Sequence, residues 1–132
     1  NYGLPFEEDF VFESDLKLET GRSLADAFCK LEKHPSAMVI VNDMTAIGFM
    51  DGCRNAGIRI PEDLSIVSFD NIAMASMYGI ELTTISQHVD EMGEKAAHLM
   101  LKQLNDRDAK PERIIMEPTL IVRKTTCEHT ES

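Results

Sequence analysis

Residues 37–71 hold two β-branched apolar runs, each stopped by a polar pair, with a helical pattern and a glycine between them. The first run, Ala37-Met38-Val39-Ile40-Val41, stops at Asn42-Asp43, and the second, over 64–69, stops at Asp70-Asn71. Between them the spacing predicts a helix over 44–56 with Ala46, Ile47, Met50 and Cys53 on one side. Gly57 stands where a left-handed C-cap is wanted, and Ile60-Pro61-Glu62-Asp63 forms a rigid turn into the second strand. Strand, helix, strand is a parallel crossover unit. A first run apolar on both faces suits a strand covered by helices on both sides. Ligands of parallel α/β sheets bind outside the carboxyl ends of the strands. Asn42, Asp43, Asp70 and Asn71 are therefore the residues to weigh for function.

The flanking segments fit the same α/β reading. Phe10-Val11-Phe12 alternates and predicts a brief strand after a solvated acidic turn at Glu7-Glu8-Asp9. Over 19–33, Leu24, Ala25, Phe28 and Leu31 recur at helical intervals, with Thr20 as N-cap and Pro35 as the stop. Cys29, beside that stripe, reads as a small buried hydrophobe. Further on come a short helical segment over 72–78 and a short strand at Leu82-Thr83-Thr84-Ile85. An amphipathic helix over 89–104 follows, with Met92, Ala96, Leu99, Met100 and Leu104 inward. After the polar breaker Asn105-Asp106-Arg107-Asp108, a last strand spans 113–122, which Pro118 restricts to an edge or a bulge. The tail over 124–132 has no pattern and reads as frayed. The eight methionines fall mainly where a helix or strand faces a core or a subunit interface.

Composition removes several function classes. A chain of 132 residues with 43% hydrophobic residues is one globular domain in size. Its 23 acidic and 13 basic residues leave a net charge of -10, which repels phosphate backbones. This chain by itself therefore reads as a poor nucleic-acid binder, which leaves open a basic part elsewhere in a larger protein. Three scattered cysteines without CxxC spacing read as free thiols in a reducing compartment. No apolar run approaches the ~18 residues of a membrane span. The opening Asn1-Tyr2-Gly3-Leu4-Pro5 has no initiator Met and reads as the middle of a protein.

Asn and Asp at strand ends suit hydroxylated ligands, because a carboxylate accepts from neighbouring hydroxyls while an amide both donates and accepts. The same residues also suit helix capping, and pattern alone leaves both readings open for Asn42, Asp43 and Asp70. Catalysis fits poorly. A phosphoacceptor Asp wants a companion acidic pair for a metal, and Asp15 and Asp43 do not form one. His34, His88, His98 and His129 lack metal-ligand spacing, and GxSxG, P-loop and GxGxxG motifs are absent. Neither catalytic nor metal residues nor a cofactor are expected.

Four blocks carry a family resemblance. They are Asn42-Asp43-Met44-Thr45-Ala46-Ile47-Gly48, then Gly57 through Asn71, then Leu82-Thr83-Thr84-Ile85, and finally Leu120-Ile121-Val122-Arg123-Lys124-Thr125-Thr126. In order and spacing, over roughly residues 10–126, they resemble the lactose/galactose-repressor family. The resemblance implies a bacterial transcriptional repressor of the cytoplasm, related to periplasmic sugar-binding proteins. Such a protein has an N-terminal helix-turn-helix for DNA and a two-lobed domain that holds a sugar or nucleobase between its lobes. It implies that this chain is a partial C-terminal lobe over 1–126, with a tail over 127–132. The lobe is one of a type I periplasmic-binding-protein-like fold: three-layer α/β/α with a mainly parallel sheet, truncated.

By the same resemblance Asn42 and Asp70 are ligand contacts. The Asp15-Leu16 position is one where the family stacks an aromatic ring, and Leu16 there loses that stacking. Family dimers pack helices of this lobe, which implicates Ile47, Met50, Met77, Tyr78 and Ile80. Ile80-Glu81 replaces the family's prolines before Leu-Thr-Thr, implying a more flexible turn. The helix over 89–104 packs on the other lobe in the family. Without it, that helix is expected to dock on its own lobe or on a second copy. The partners implied are a small-molecule effector and a homodimer, with no membrane. A periplasmic-type solute-binding protein of the same fold is the alternative.

Overall fold

The computed structural model describes residues 7–106 and 110–128. A four-stranded sheet runs in the order β1 (Ala37–Val39), β2 (Ser65–Phe69), β3 (Thr83–Ser86), β4 (Thr119–Ile121). The first three strands are parallel and β4 is antiparallel to β3, so the sheet is mainly parallel, as expected for this α/β class. Three helices accompany it: α1 (Leu18–Phe28), α2 (Asp43–Asn55) and α3 (Val89–Asn105). Short 3-10 turns lie at Glu8–Phe10 and Ala73–Ser76.

The crossover from β1 through α2 to β2 matches the sequence reading within one or two residues at each boundary, and Gly57 adopts φ +82° after α2. That backbone is free for glycine alone. Helix α2 covers the β2 face that carries Ile66 and Ser68, both fully buried. Helix α1 lies against α2 at backbone distance. A Cβ on Gly21 would stand 2.1 Å from the Thr45 carbonyl oxygen, and one on Gly48 1.9 Å from that of Leu18. The core fills from this pair, with Phe28 and Phe49 edge-to-face at a centroid distance of 5.5 Å.

Local pattern misplaced several elements. Phe10-Val11-Phe12 is no strand: a 3-10 turn takes Glu8–Phe10, and the extended backbone that follows pairs with nothing in the sheet. Alternation sets extended backbone, but a strand also needs a neighbour to bond. Thr20 is not the N-cap of α1. The helix starts at Leu18, because the Asp15 carboxylate takes the Lys17 N–H at 3.3 Å and the Thr20 hydroxyl. The helix stops at Phe28, well before Lys33, where His34 Nε2 bonds the Phe28 carbonyl at 3.1 Å. Cys29 is consequently at the helix end and exposed, not buried.

Strand β1 has one covered face rather than two, leaving Val39 75% and Val41 57% exposed at the sheet's edge. Strand β4 is much shorter than 113–122, beginning just after Pro118 on the other edge. The expected frayed tail is held in place at 124–127. Thr125 is buried, its hydroxyl donates to the Ile66 carbonyl and accepts from Thr83 N–H, both at 2.8 Å, and its carbonyl accepts from Ile66 N–H at 2.7 Å. It serves backbone groups of β2 and β3 that no strand pairs there, which no sequence pattern announces. Residues 129–132 of the tail and Arg107-Asp108 of the breaker lie outside the described residues.

Helix α3 has the expected length but not the expected burial. None of its described residues is buried, and Met92, Met100 and Leu104 are exposed, so it does not dock on its own sheet. The methionines divide accordingly. Met50 is in the core, while Met77, Met92 and Met100 face solvent.

Candidate functional site

The carboxyl ends of β1, β2 and β3 lie on one rim of the sheet. Ile40 N–H bonds the Val67 carbonyl at 2.8 Å, so the parallel pattern of β1 and β2 continues past Val39. Val39 pairs with Val67 in parallel register, and Asn42 and Asp70 follow the carboxyl ends of these two strands. Two strand-end residues identified from sequence thus follow adjacent parallel strands on the same rim.

Asn42 does both things that its residue type allows. It is the N-cap of α2, its Oδ1 accepting from Thr45 N–H at 3.0 Å, and its Nδ2 donates to the Leu16 carbonyl at 3.1 Å. That second bond draws the Asp15-Leu16 stretch to the same rim. Leu16 holds φ 69° and is half-exposed. Asp15 is tied to its own loop, accepting from Lys17 Nζ at 2.7 Å and from the Thr20 hydroxyl. Those bonds from Lys17 and then Thr20 hold its carboxyl down to about 2.

Asp70 opens a turn of unusual backbone: φ is 109° at Asp70 and 52° at Asn71, with no glycine. Its N–H bonds the Ile85 carbonyl at 3.0 Å and its Oδ1 accepts from Gln87 Nε2 at 3.1 Å. Oδ2 has no hydrogen-bond partner among the described residues, so one carboxylate oxygen remains for an outside donor. Asn71 Oδ1 accepts from the Arg123 guanidinium at 2.7 Å, and Arg123 also donates to the Leu82 carbonyl at 2.7 Å.

Asp43 is a correction to the strand-end list. It is fully buried and offers a ligand no surface. Its carboxylate accepts from the Ser68 hydroxyl, from the Thr84 hydroxyl at 2.6 Å and from Ile72 N–H at 2.8 Å. Gln87 and Arg123, in turn, were missed. Gln87 ends β3 as Asn42 ends β1, so the strand-end argument could have found it. Arg123 reaches Asn71 across 52 residues of sequence, and only the fold shows that.

An apolar hollow lies elsewhere. It has a volume of about 270 Å³, between Phe10-Val11-Phe12 and the free edge of β1, floored by Leu24 and Phe49. Its lining is mostly apolar and does not include Asn42, Asp70 or Gln87. A further hollow of about 190 Å³ brings together Ile47, Met50 and Ile80, three of the residues implicated in dimerisation. Met50 is only 3% exposed, whereas Met77 is 56% and Tyr78 96% exposed on the adjoining segment. The turn at Ile80-Glu81 carries backbone hydrogen bonds and an ion pair. Ile80 and Glu81 N–H both bond the Met77 carbonyl at 3.0 Å, and Lys124 pairs with Glu81 at 2.6 Å. Among the described residues no group of three acidic, histidine or cysteine side chains converges as a metal would need, and no helix is long and apolar enough to cross a membrane.

A family model described as a periplasmic binding protein-like domain matches residues 2–126. The chain belongs to that family. Among curated relatives of this periplasmic-binding-protein-like domain is the HTH-type transcriptional repressor PurR of Vibrio parahaemolyticus. It is 32% identical over 122 residues, which are 92% of this chain and 36% of the relative. Among solved structures, a LacI family transcriptional regulator from Enterococcus faecalis with bound ribose superposes with a TM-score of 0.81 at 31% identity. The match covers 87% of this chain and 42% of that one. A putative transcriptional regulator LacI from Bacillus cereus subsp. cytotoxis reaches a TM-score of 0.89 at 22% identity, over 96% of this chain and 45% of that one, a likeness of fold. The domain thus spans little more than a third of the curated relatives it matches, and the lactose/galactose-repressor resemblance read from its four blocks holds.

Proposed function

We propose that this chain is the effector-binding and dimerisation part of a bacterial DNA-binding transcriptional regulator that senses a sugar or related small metabolite. The observation that supports this reading is that Asn42 and Asp70 follow the carboxyl ends of adjacent parallel strands β1 and β2, with Gln87, after β3, donating to Asp70. An oxygen of Asp70 is left to accept a hydroxyl, and such a charged hydrogen bond is worth about 1.5–3 kcal/mol. Likeness to a regulator with bound ribose supports a sugar as the class of effector.

The rest of the regulator follows from the same reading. The chain is part of a C-terminal lobe over 1–126, and α3 belongs against the second lobe, which fits its lack of burial. DNA contact comes through an N-terminal helix-turn-helix outside this sequence, since a net charge of -10 disfavours it here. The protein works in the cytoplasm as a homodimer, joined through Ile47, Met77, Tyr78 and Ile80, with Met50 beneath them. Effector binding changes lobe closure and so the spacing of two DNA-binding heads, through different affinities for two states. Asp15 and Leu16 lie beside the effector, without an aromatic platform.

The test is calorimetry of the full-length regulator against a panel of sugars and nucleobases, with Asp70→Ala as control. The expected result is one binding class whose affinity collapses in the variant. Unchanged affinity in Asp70→Ala removes Asp70 from the site and the reading with it.

A further inference from the structure

Asp43 sits at the first helical position of α2, where an acid is ordinarily explained by its attraction to the helix N-terminus. That explanation does not account for its surroundings. The carboxylate is fully buried, and each of its three donors comes from outside the helix: Ser68 on β2, Thr84 on β3 and the backbone N–H of Ile72. Two of those donors bear on one turn. Thr84 Oγ1, having donated its proton to Asp43 at 2.6 Å, presents a lone pair to Asn71 N–H at 3.3 Å. Ile72 N–H, the next along, bonds Asp43 Oδ2 at 2.8 Å.

The turn so gripped is the one whose backbone most needs holding. Successive non-glycine residues at φ 109° and 52° persist only where the surroundings over-determine them. Arg123 holds the Asn71 side chain, and from within Asp43 accepts from Ile72 N–H directly and reaches Asn71 N–H through the Thr84 hydroxyl. The geometry points to Asp43 as a positioning residue for the candidate site: its buried carboxylate sets the Asp70-Asn71 backbone and hence the direction in which Asp70 meets an effector. The consequence for the effector rests on the function proposed above; the backbone effect does not.

An amide of the same shape separates this role from packing. In Asp43→Asn one of the two acceptor oxygens becomes an NH₂ group, which cannot accept from Ile72 N–H and the two hydroxyls together. The test is solution NMR of the 132-residue chain without ligand, reading the φ-dependent couplings at Asp70 and Asn71 and the amide exchange rate at Ile72. Asp43→Asn is expected to bring those couplings to conformationally averaged values and to speed Ile72 exchange by about tenfold or more, with amide shifts in α1 unchanged. Ser68→Ala removes a buried bond to the same carboxylate but touches neither N–H of the turn, and it is expected to leave the couplings as they are. If Asp43→Asn does not fold, Thr84→Val takes its place: the couplings at Asn71 change, and Thr84→Ser restores them. A folded Asp43→Asn or Thr84→Val protein with wild-type couplings overturns the proposal. Because no effector is used, failure of the calorimetry would leave this result standing, and the reverse also holds.

Discussion

Asp15, Asp43 and Cys53 each sit where a single measurable property follows from their neighbours. Bonds from Lys17 and Thr20 depress the Asp15 carboxyl to about 2 from its ordinary 3.8. A depressed carboxylate contributes its stabilisation fully above the unfolded value and loses it as pH falls through the folded one. The Asp15 loop is therefore expected to be fully tied above about pH 4 and released near pH 2. Carboxyl carbon shifts across an acid titration check this; an Asp15 midpoint near 4 would show that the bonds do not form. Burial pushes the Cys53 thiol up to about 12, while Cys29 and Cys127 are exposed. Native labelling with a thiol reagent at neutral pH is expected to modify Cys29 and Cys127 and to spare Cys53 until the protein unfolds. Asp43→Ala leaves Ser68, Thr84 and Ile72 N–H without their acceptor, and a cost of about 3–5 kcal/mol in denaturant unfolding is expected.

At the level of elements, helix pairing depends on two glycines that secondary-structure patterns count as weak points. Gly21 and Gly48 let α1 and α2 meet at backbone distance, and any Cβ on Gly48 strikes the Leu18 carbonyl, which no rotamer can relieve. Gly48→Ala is expected to destabilise by about 1–3 kcal/mol or more. Gly93 on α3 has open space around it, and Gly93→Ala is expected to stabilise by about 0.5–1 kcal/mol through helix propensity. Opposite signs for two Gly→Ala changes, read from unfolding midpoints, check the packing directly. Elements whose signal lies within a few residues were legible in the sequence: the crossover over 37–70, the length of α3, the cap at Asn42 and the polar ends of β1 and β2. What was not legible depended on partners far along the chain. Phe10-Val11-Phe12 lacked a strand to pair with, and Thr125 is fixed by β2 and β3 more than 40 residues away. Gln87 was within reach of the same strand-end argument that found Asn42 and Asp70.

For the molecule as a body, two of the apolar surfaces exposed among the described residues bear on association. One is the edge of β1 at Val39 and Val41; the other runs along α3 through Met92, Met100 and Leu104. Contiguous apolar stripes and open strand edges favour association. Light scattering across a concentration series is expected to show self-association of the 132-residue chain, which charged substitutions at Met100 and Leu104 reduce. A strictly monomeric species at high concentration would count against it. The proposed function turns on the strand-end rim, and not the apolar hollow beside Phe10-Val11-Phe12, being the surface that meets the effector. A nitrogen-resolved NMR titration of this chain with ribose distinguishes the two surfaces. One lobe supplies only part of a site, so binding of millimolar strength or weaker, about 4 kcal/mol, is expected. Shift changes are expected at Asn42, Asp70, Asn71 and Gln87, and they should vanish in Asp70→Ala. Changes centred on Val11, Phe12 and Val39, or a pattern untouched by Asp70→Ala, would refute the strand-end site.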